Sequence, residues 1–170
     1  GDVYKRQTED APVQAVNFNC PGQVVIAGEA GAVEKACGAL KEAGARRAVM
    51  LKVSAPFHST LMEPAAKRLK EVLDTISIHD TLIPVFANVN AKEETKADEI
   101  RKNLVDQAAH AVHWEESVRN MIAGGVDCTV EVGPGTVLSG FMRKIDRSVT
   151  NLHAEDIDTI NEVVSTLKGE

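Results

Sequence analysis

Gln23-Val24-Val25-Ile26-Ala27-Gly28 decides the fold class. This β-branched run, closed by a glycine, predicts a short buried strand. Directly after it, residues 30–43 carry Val33, Ala36, Cys37 and Leu40 at helical spacing, and Gly44 stands where a helix C-cap belongs. Residues 47–53 (Arg-Ala-Val-Met-Leu-Lys-Val) then read as a second strand. Strand, helix and strand within about 30 residues predict an α/β unit.

Upstream, Val13 to Asn19 alternates loosely before Pro21-Gly22, a turn signal. Downstream, Pro56 disfavours helix at Ala55, so Ser54 to Ser59 reads as a loop. Leu61, Ala65, Leu69, Val72 and Leu73 give residues 60–75 an amphipathic helical period. Residues 82–89 predict a strand, and residues 92–96 a charged, solvated connector. Helices are expected over 98–109 and 115–123, the second ended by Gly124-Gly125. Residues 127–132 predict a strand, Gly133-Pro134-Gly135 a tight turn, and residues 137–145 a short helix. Residues 149–152 are expected to be extended, with a closing helix over 156–167. Alternation of strands and helices gives an α/β or α+β class, with α/β favoured for the second half.

Composition narrows the function. No apolar run approaches the roughly 20 residues of a membrane helix, and none has the order of a secretory signal. A cytoplasmic protein is therefore expected. The formal net charge of −6 argues against nucleic acid as the main partner. A local basic patch can still steer an acidic protein partner. Cys20, Cys37 and Cys128 are far apart, with no zinc spacing among the cysteines and histidines, so reduced thiols and no metal are expected. Residues 1–7 have no apolar period and read as foreign or disordered sequence.

His58 is the first catalytic candidate, because it stands on a loop between a strand and a helix. A neutral imidazole takes a proton from a hydroxyl and returns it to a leaving group. A satisfied structural histidine fits the same position. His79 and His153 read as surface residues. His110 and His113 are three residues apart, and no third metal ligand follows nearby. The serine device expected on an α/β sheet is G-x-S-x-G. None of the serines has that frame; Leu138-Ser139-Gly140 lacks the first glycine. Cys20, in a Cys20-Pro21-Gly22 turn, reads as a neutral or buried thiol rather than a nucleophile. The Gly133-Pro134-Gly135 turn opens a helix whose N-terminus suits an anion, though it reads equally as a simple strand-to-helix turn.

Three longer stretches carry a resemblance. Asn17-Phe18-Asn19-Cys20-Pro21-Gly22-Gln23-Val24-Val25-Ile26-Ala27-Gly28 is similar to the N-x-N-x-P-G-Q-x-V-I-A-G segment of bacterial malonyl-CoA–acyl carrier protein transacylases. Val53 to Met62 resembles their catalytic-histidine loop, and Glu131 to Leu138 resembles their E-x-G-P-G-x-V-L turn. The order and spacing also fit, from about Val13 to the C-terminus.

The resemblance implies an α/β-hydrolase-like acyltransferase core with an inserted ferredoxin-like small subdomain. Residues 8–55 would form most of the small subdomain, lacking its first strand, and residues 56–170 the C-terminal part of the core. The family's nucleophilic serine, in G-H-S-L-G, and its malonyl-binding arginine would lie upstream, so truncation would explain the missing elbow. The implied chemistry is ping-pong transfer of malonyl from malonyl-CoA to the phosphopantetheine thiol of acyl carrier protein in fatty acid biosynthesis, with His58 as base and no cofactor. The resemblance also implies that a backbone carbonyl at Gln107 orients His58, and that Asn17 and Asn19 line the acyl pocket.

Phe57 matches the F-H pair that goes with malonyl in related polyketide acyltransferases, so a bulky ring there would exclude an α-methyl. Arg143 and Lys144, with Arg147 nearby, form a basic cluster that suits docking of the acidic carrier protein and reads equally as ordinary solvated surface; Arg46 and Arg47 form a second basic pair. A polyketide-synthase or malonate-decarboxylase acyltransferase, and an inactive fragment, are the alternatives.

Overall fold

The computed structural model describes residues 13–169. The expectation for residues 1–7 lies outside them. A hairpin of β1 (Val13–Cys20) and β2 (Gln23–Gly28) leads into helix α1 (Ala30–Glu42). Pro21 presets the first turn position, and Gly22, at φ 77°, supplies the positive φ of the second. The Glu29 side chain caps α1 by accepting the Ala32 N–H. Gly44, at φ 96°, follows its C-cap.

Residues 47–53 are not a strand. Their apolar side chains are the right type, but a strand also needs a neighbour for its ladder, and none stands beside them among the described residues. Val49, Met50, Leu51 and Val53 are accordingly more than half exposed. The expected strand–helix–strand unit is therefore only a hairpin and a helix here.

A 3-10 turn (Thr60–Met62) enters α2 (Glu63–Leu73), with Pro64 in its first turn, where proline needs no N–H partner. The expected strand over 82–89 shrinks to β3 (Val85–Ala87), which pairs antiparallel with β4 (Lys92–Glu94). The charged connector thus contains a strand, and Glu94 is buried, accepting a hydrogen bond from buried Asn103. Helices α3 (Ala97–Asp106) and α4 (Trp114–Ala123) follow. Arg101 of α3 donates to the carbonyls of Leu73 and Ile76, tying α3 to the end of α2.

The last third is β5 (Cys128–Val132), α5 (Val137–Ile145), β6 (Thr150–Ala154) and α6 (Ile157–Lys168). β5 and β6 pair in parallel around α5. Asp156 and Thr159 cap α6 reciprocally, as a capping box. Cys20, Val118, Met142, Ile145 and Val149 form the core cluster, with Trp114, Met121, Ile122 and Phe141 packed against it. The hairpin therefore shares one apolar core with α4 and α5. No described helix is long and apolar enough to cross a membrane.

Candidate active site

His58 lies in the loop before α2, with its backbone at φ 61°. That left-handed conformation costs a non-glycine residue about 1–3 kcal/mol and marks a position held by its surroundings. Its Nδ1 is 2.7 Å from the main-chain oxygen of Gln107. Gln107 is the C-cap of α3, so its carbonyl is one of the last-turn acceptors that the helix leaves free. A carbonyl only accepts. Nδ1 must therefore carry the hydrogen, and the neutral ring keeps its lone pair on Nε2. The arrangement leaves an oriented base.

Both sides of the histidine are tied down. Ser59 is 2% exposed and its hydroxyl donates to the Pro56 carbonyl at 2.6 Å. The side-chain oxygen of Gln14, on β1, accepts from the Thr60 N–H at 2.8 Å and from the Thr60 hydroxyl at 3.0 Å. The sequence reading singled out neither Gln14 nor Ser59. Their partners lie on irregular backbone, which no periodicity reveals.

β1 reaches the Gln107 side as well. Val112 donates to the Val16 carbonyl at 2.8 Å, and Phe18 donates to the Val112 carbonyl at 2.9 Å. Phe18 stacks on His113, with ring centroids 5.5 Å apart. Asn17 and Asn19 are half-buried between these contacts. Register shifts between Ala15 and Asn17, and between Phe18 and Cys20, interrupt the ladder around them. Bulges of this kind re-aim side chains. Among the described residues, neither asparagine side chain hydrogen-bonds to His58 or to the Pro21-Gly22 turn. Phe57 is half exposed beside His58.

The helix N-terminus after Gly133-Pro134-Gly135 already holds an anion of its own. The Glu131 carboxylate accepts the N–H groups of Leu138 (3.0 Å) and Ser139 (2.7 Å), replacing the cap that Thr136 does not supply. The Glu155 carboxylate takes the Gly135 N–H at 2.6 Å. Partial burial pushes the Glu131 carboxyl up, but hydrogen bonds from Ser139 and Leu138, with His153 nearby, hold it below its ordinary value. His153 is partly buried, its side chain 32% exposed, with Nε2 3.9 Å from the Glu155 carboxylate.

Arg143 and Lys144 are exposed in the last turn of α5, where positive charge suits the helix dipole. Lys144 reaches Gln23 at 3.5 Å. Cys20 is buried in the core, away from solvent. His110 bonds to the Asp106 carbonyl and His113 approaches Glu116 at 3.5 Å. Among the described residues, no group of three or more His, Cys, Asp or Glu side chains is placed to hold a metal.

No family model matches the chain. It is 48% identical over 169 residues to the malonyl CoA-acyl carrier protein transacylase of Bacillus subtilis, covering 99% of this chain and 53% of that protein. The crystal structure of the corresponding transacylase from Clostridium perfringens superimposes with a TM-score of 0.92 at 38% identity, over 99% of this chain and 53% of that one. A malonyl-transacylase solved in complex with a type II PKS acyl-carrier protein superimposes with a TM-score of 0.91 at 40% identity, again over 99% and 53%. The chain spans about half the length of the relatives it matches.

Proposed function

We propose that this chain, a homologue of malonyl CoA-acyl carrier protein transacylases, carries the general base of a Ser-His malonyl transfer from malonyl-CoA to the phosphopantetheine thiol of an acyl carrier protein. The observation that carries the reading is the His58–Gln107 contact, which leaves Nε2 as a free base. The nucleophilic serine and the malonyl-binding arginine that the resemblance implies would lie in the half of the relatives that this chain does not span.

In the first half-reaction the serine hydroxyl gives its proton to His58 Nε2 as its oxygen attacks the thioester carbonyl. The C–S bond then breaks, and the imidazolium returns the proton to the coenzyme A sulfur. In the second, His58 takes the proton of the carrier thiol, which attacks the malonyl ester, and returns it to the serine oxygen. The Gln107 carbonyl keeps Nδ1 protonated and the ring aimed throughout. A thioester is already activated, so the transfer needs no cofactor. It would serve fatty acid biosynthesis in the cytoplasm.

Asn17 and Asn19, at the interrupted ladder of β1, would line the acyl pocket. Phe57 would fill the space of an α-methyl group and favour malonyl over methylmalonyl. Arg143 and Lys144 would dock the acidic carrier. Residues 8–55 would belong to a ferredoxin-like small subdomain and residues 56–170 to an α/β-hydrolase-like core. The two-stranded parallel sheet β5–β6 supports the second assignment, since parallel sheets are normally covered on both faces and part of a larger sheet.

The test is a fusion of this chain behind the N-terminal half of the Bacillus subtilis relative. Given malonyl-CoA and a carrier with its phosphopantetheine attached, it is expected to yield malonyl-carrier. A folded fusion that produces none removes the reading.

A further inference from the structure

Nothing in the chemistry of acyl transfer requires the backbone of His58 to be left-handed, yet the structure holds it at φ 61°. Two hydrogen-bonded ties flank that residue. Ser59 closes the loop from inside, its buried hydroxyl donating back to the Pro56 carbonyl and spanning Phe57 and His58. Gln14 holds the loop from outside. One side-chain oxygen accepts both the N–H and the hydroxyl of Thr60, 46 residues along the chain. The same strand that carries Gln14 bonds at Val16 and Phe18 to Val112, five residues after Gln107. β1 is therefore the brace between the histidine loop and the segment that carries its carbonyl acceptor.

We propose that Gln14 and Ser59 are positioning residues for His58, holding the loop so that Nδ1 stays on the Gln107 carbonyl and Nε2 stays aimed at the reacting hydroxyl. The proposal rests on the reading of His58 as the base. Neither residue touches substrate; both act through the geometry of the imidazole. A side-chain amide is used because Thr60 presents two donors and needs an acceptor. A carboxylate at position 14 would serve as well, whereas leucine offers no acceptor.

The experiment uses the fusion described above, unsubstituted and as Gln14→Leu, Gln14→Glu and Ser59→Ala. The first and last substitutions are expected to lower kcat about tenfold, as small misplacements of a catalytic group do. KM for malonyl-CoA should stay within about twofold, because the ground-state contacts are untouched. Gln14→Glu should restore kcat. In parallel, 15N spectra of the histidines in the 170-residue chain should show His58 moving from a single Nδ1–H tautomer to a mixture in Ser59→Ala and Gln14→Leu. Unchanged kcat and an unchanged tautomer overturn the proposal. So does a loss in Gln14→Leu that Gln14→Glu fails to repair. If the unsubstituted fusion is inactive, the functional reading fails instead, and the tautomer spectra alone decide whether the two ties hold the ring.

Discussion

His58 and Gln107 meet across 49 residues of chain: the imidazole Nδ1 of one lies 2.7 Å from the main-chain oxygen of the other. The partner is a carbonyl at a helix C-cap, not a carboxylate. It fixes the tautomer by geometry and adds no full charge.

Because only the backbone of Gln107 is used, its side chain is expendable for orientation. Gln107→Ala in the active fusion is expected to change kcat by less than about threefold, against the roughly hundredfold or greater loss that follows removal of a catalytic base. Steady-state kinetics checks this. A large loss would place the Gln107 amide itself in the chemistry.

Glu131 ties β5 to the start of α5 through its bonds to Leu138 and Ser139. Glu131→Ala is expected to lower stability by about 1–2 kcal/mol, the range for losing a helix-capping acceptor. The sign of the pH dependence follows from the lowered carboxyl. The stabilisation is fully present above the ordinary glutamate range and is lost as the pH falls through the folded-state value. Urea denaturation at neutral pH and in acid should show the parent and Glu131→Ala differing most at neutral pH, with the difference shrinking as the pH falls through the folded-state value.

Arg143 and Lys144 project from the end of α5, and neither has an acidic partner among the described residues. Reversing both charges, with Arg143→Glu and Lys144→Glu, is expected to raise KM for the carrier several-fold and leave KM for malonyl-CoA unchanged. Rim charges steer docking more than they hold the small substrate. Equal KM values for the carrier would return these residues to ordinary solvated surface.

Cys20 is buried in the core cluster, so the chain itself offers no exposed nucleophile at that turn. Intact-mass spectrometry of the 170-residue chain after incubation with malonyl-CoA is expected to show no malonyl adduct. An adduct on Cys20 or on a serine of this chain would mean a different nucleophile.

Local signals were legible in the sequence where one element decides its own shape. α5 runs over Val137–Ile145, as its apolar spacing and the preceding Gly-Pro-Gly turn indicate. The hairpin is legible from Pro21-Gly22. Residues 47–53 were misleading because β-branched composition records what a strand prefers, not whether a neighbour is there to pair with it. Lys92 to Lys96 misled in the opposite sense: Glu94 looks solvated until Asn103, nine residues on, buries it with a hydrogen bond. At the site, His58 could be picked out by its loop. Its Gln107 acceptor came only from a family resemblance, because a backbone carbonyl leaves no mark in composition or spacing. Gln14 and Ser59 left none either, since both act on irregular backbone.

The most direct measurement is malonyl transfer by the fusion with and without His58→Gln, followed as malonyl-carrier formed over time. The expected result is transfer by the unsubstituted fusion and a loss of at least about a hundredfold in His58→Gln, with the fold intact by circular dichroism. Transfer at an undiminished rate without the imidazole would contradict the assignment of His58 as the base.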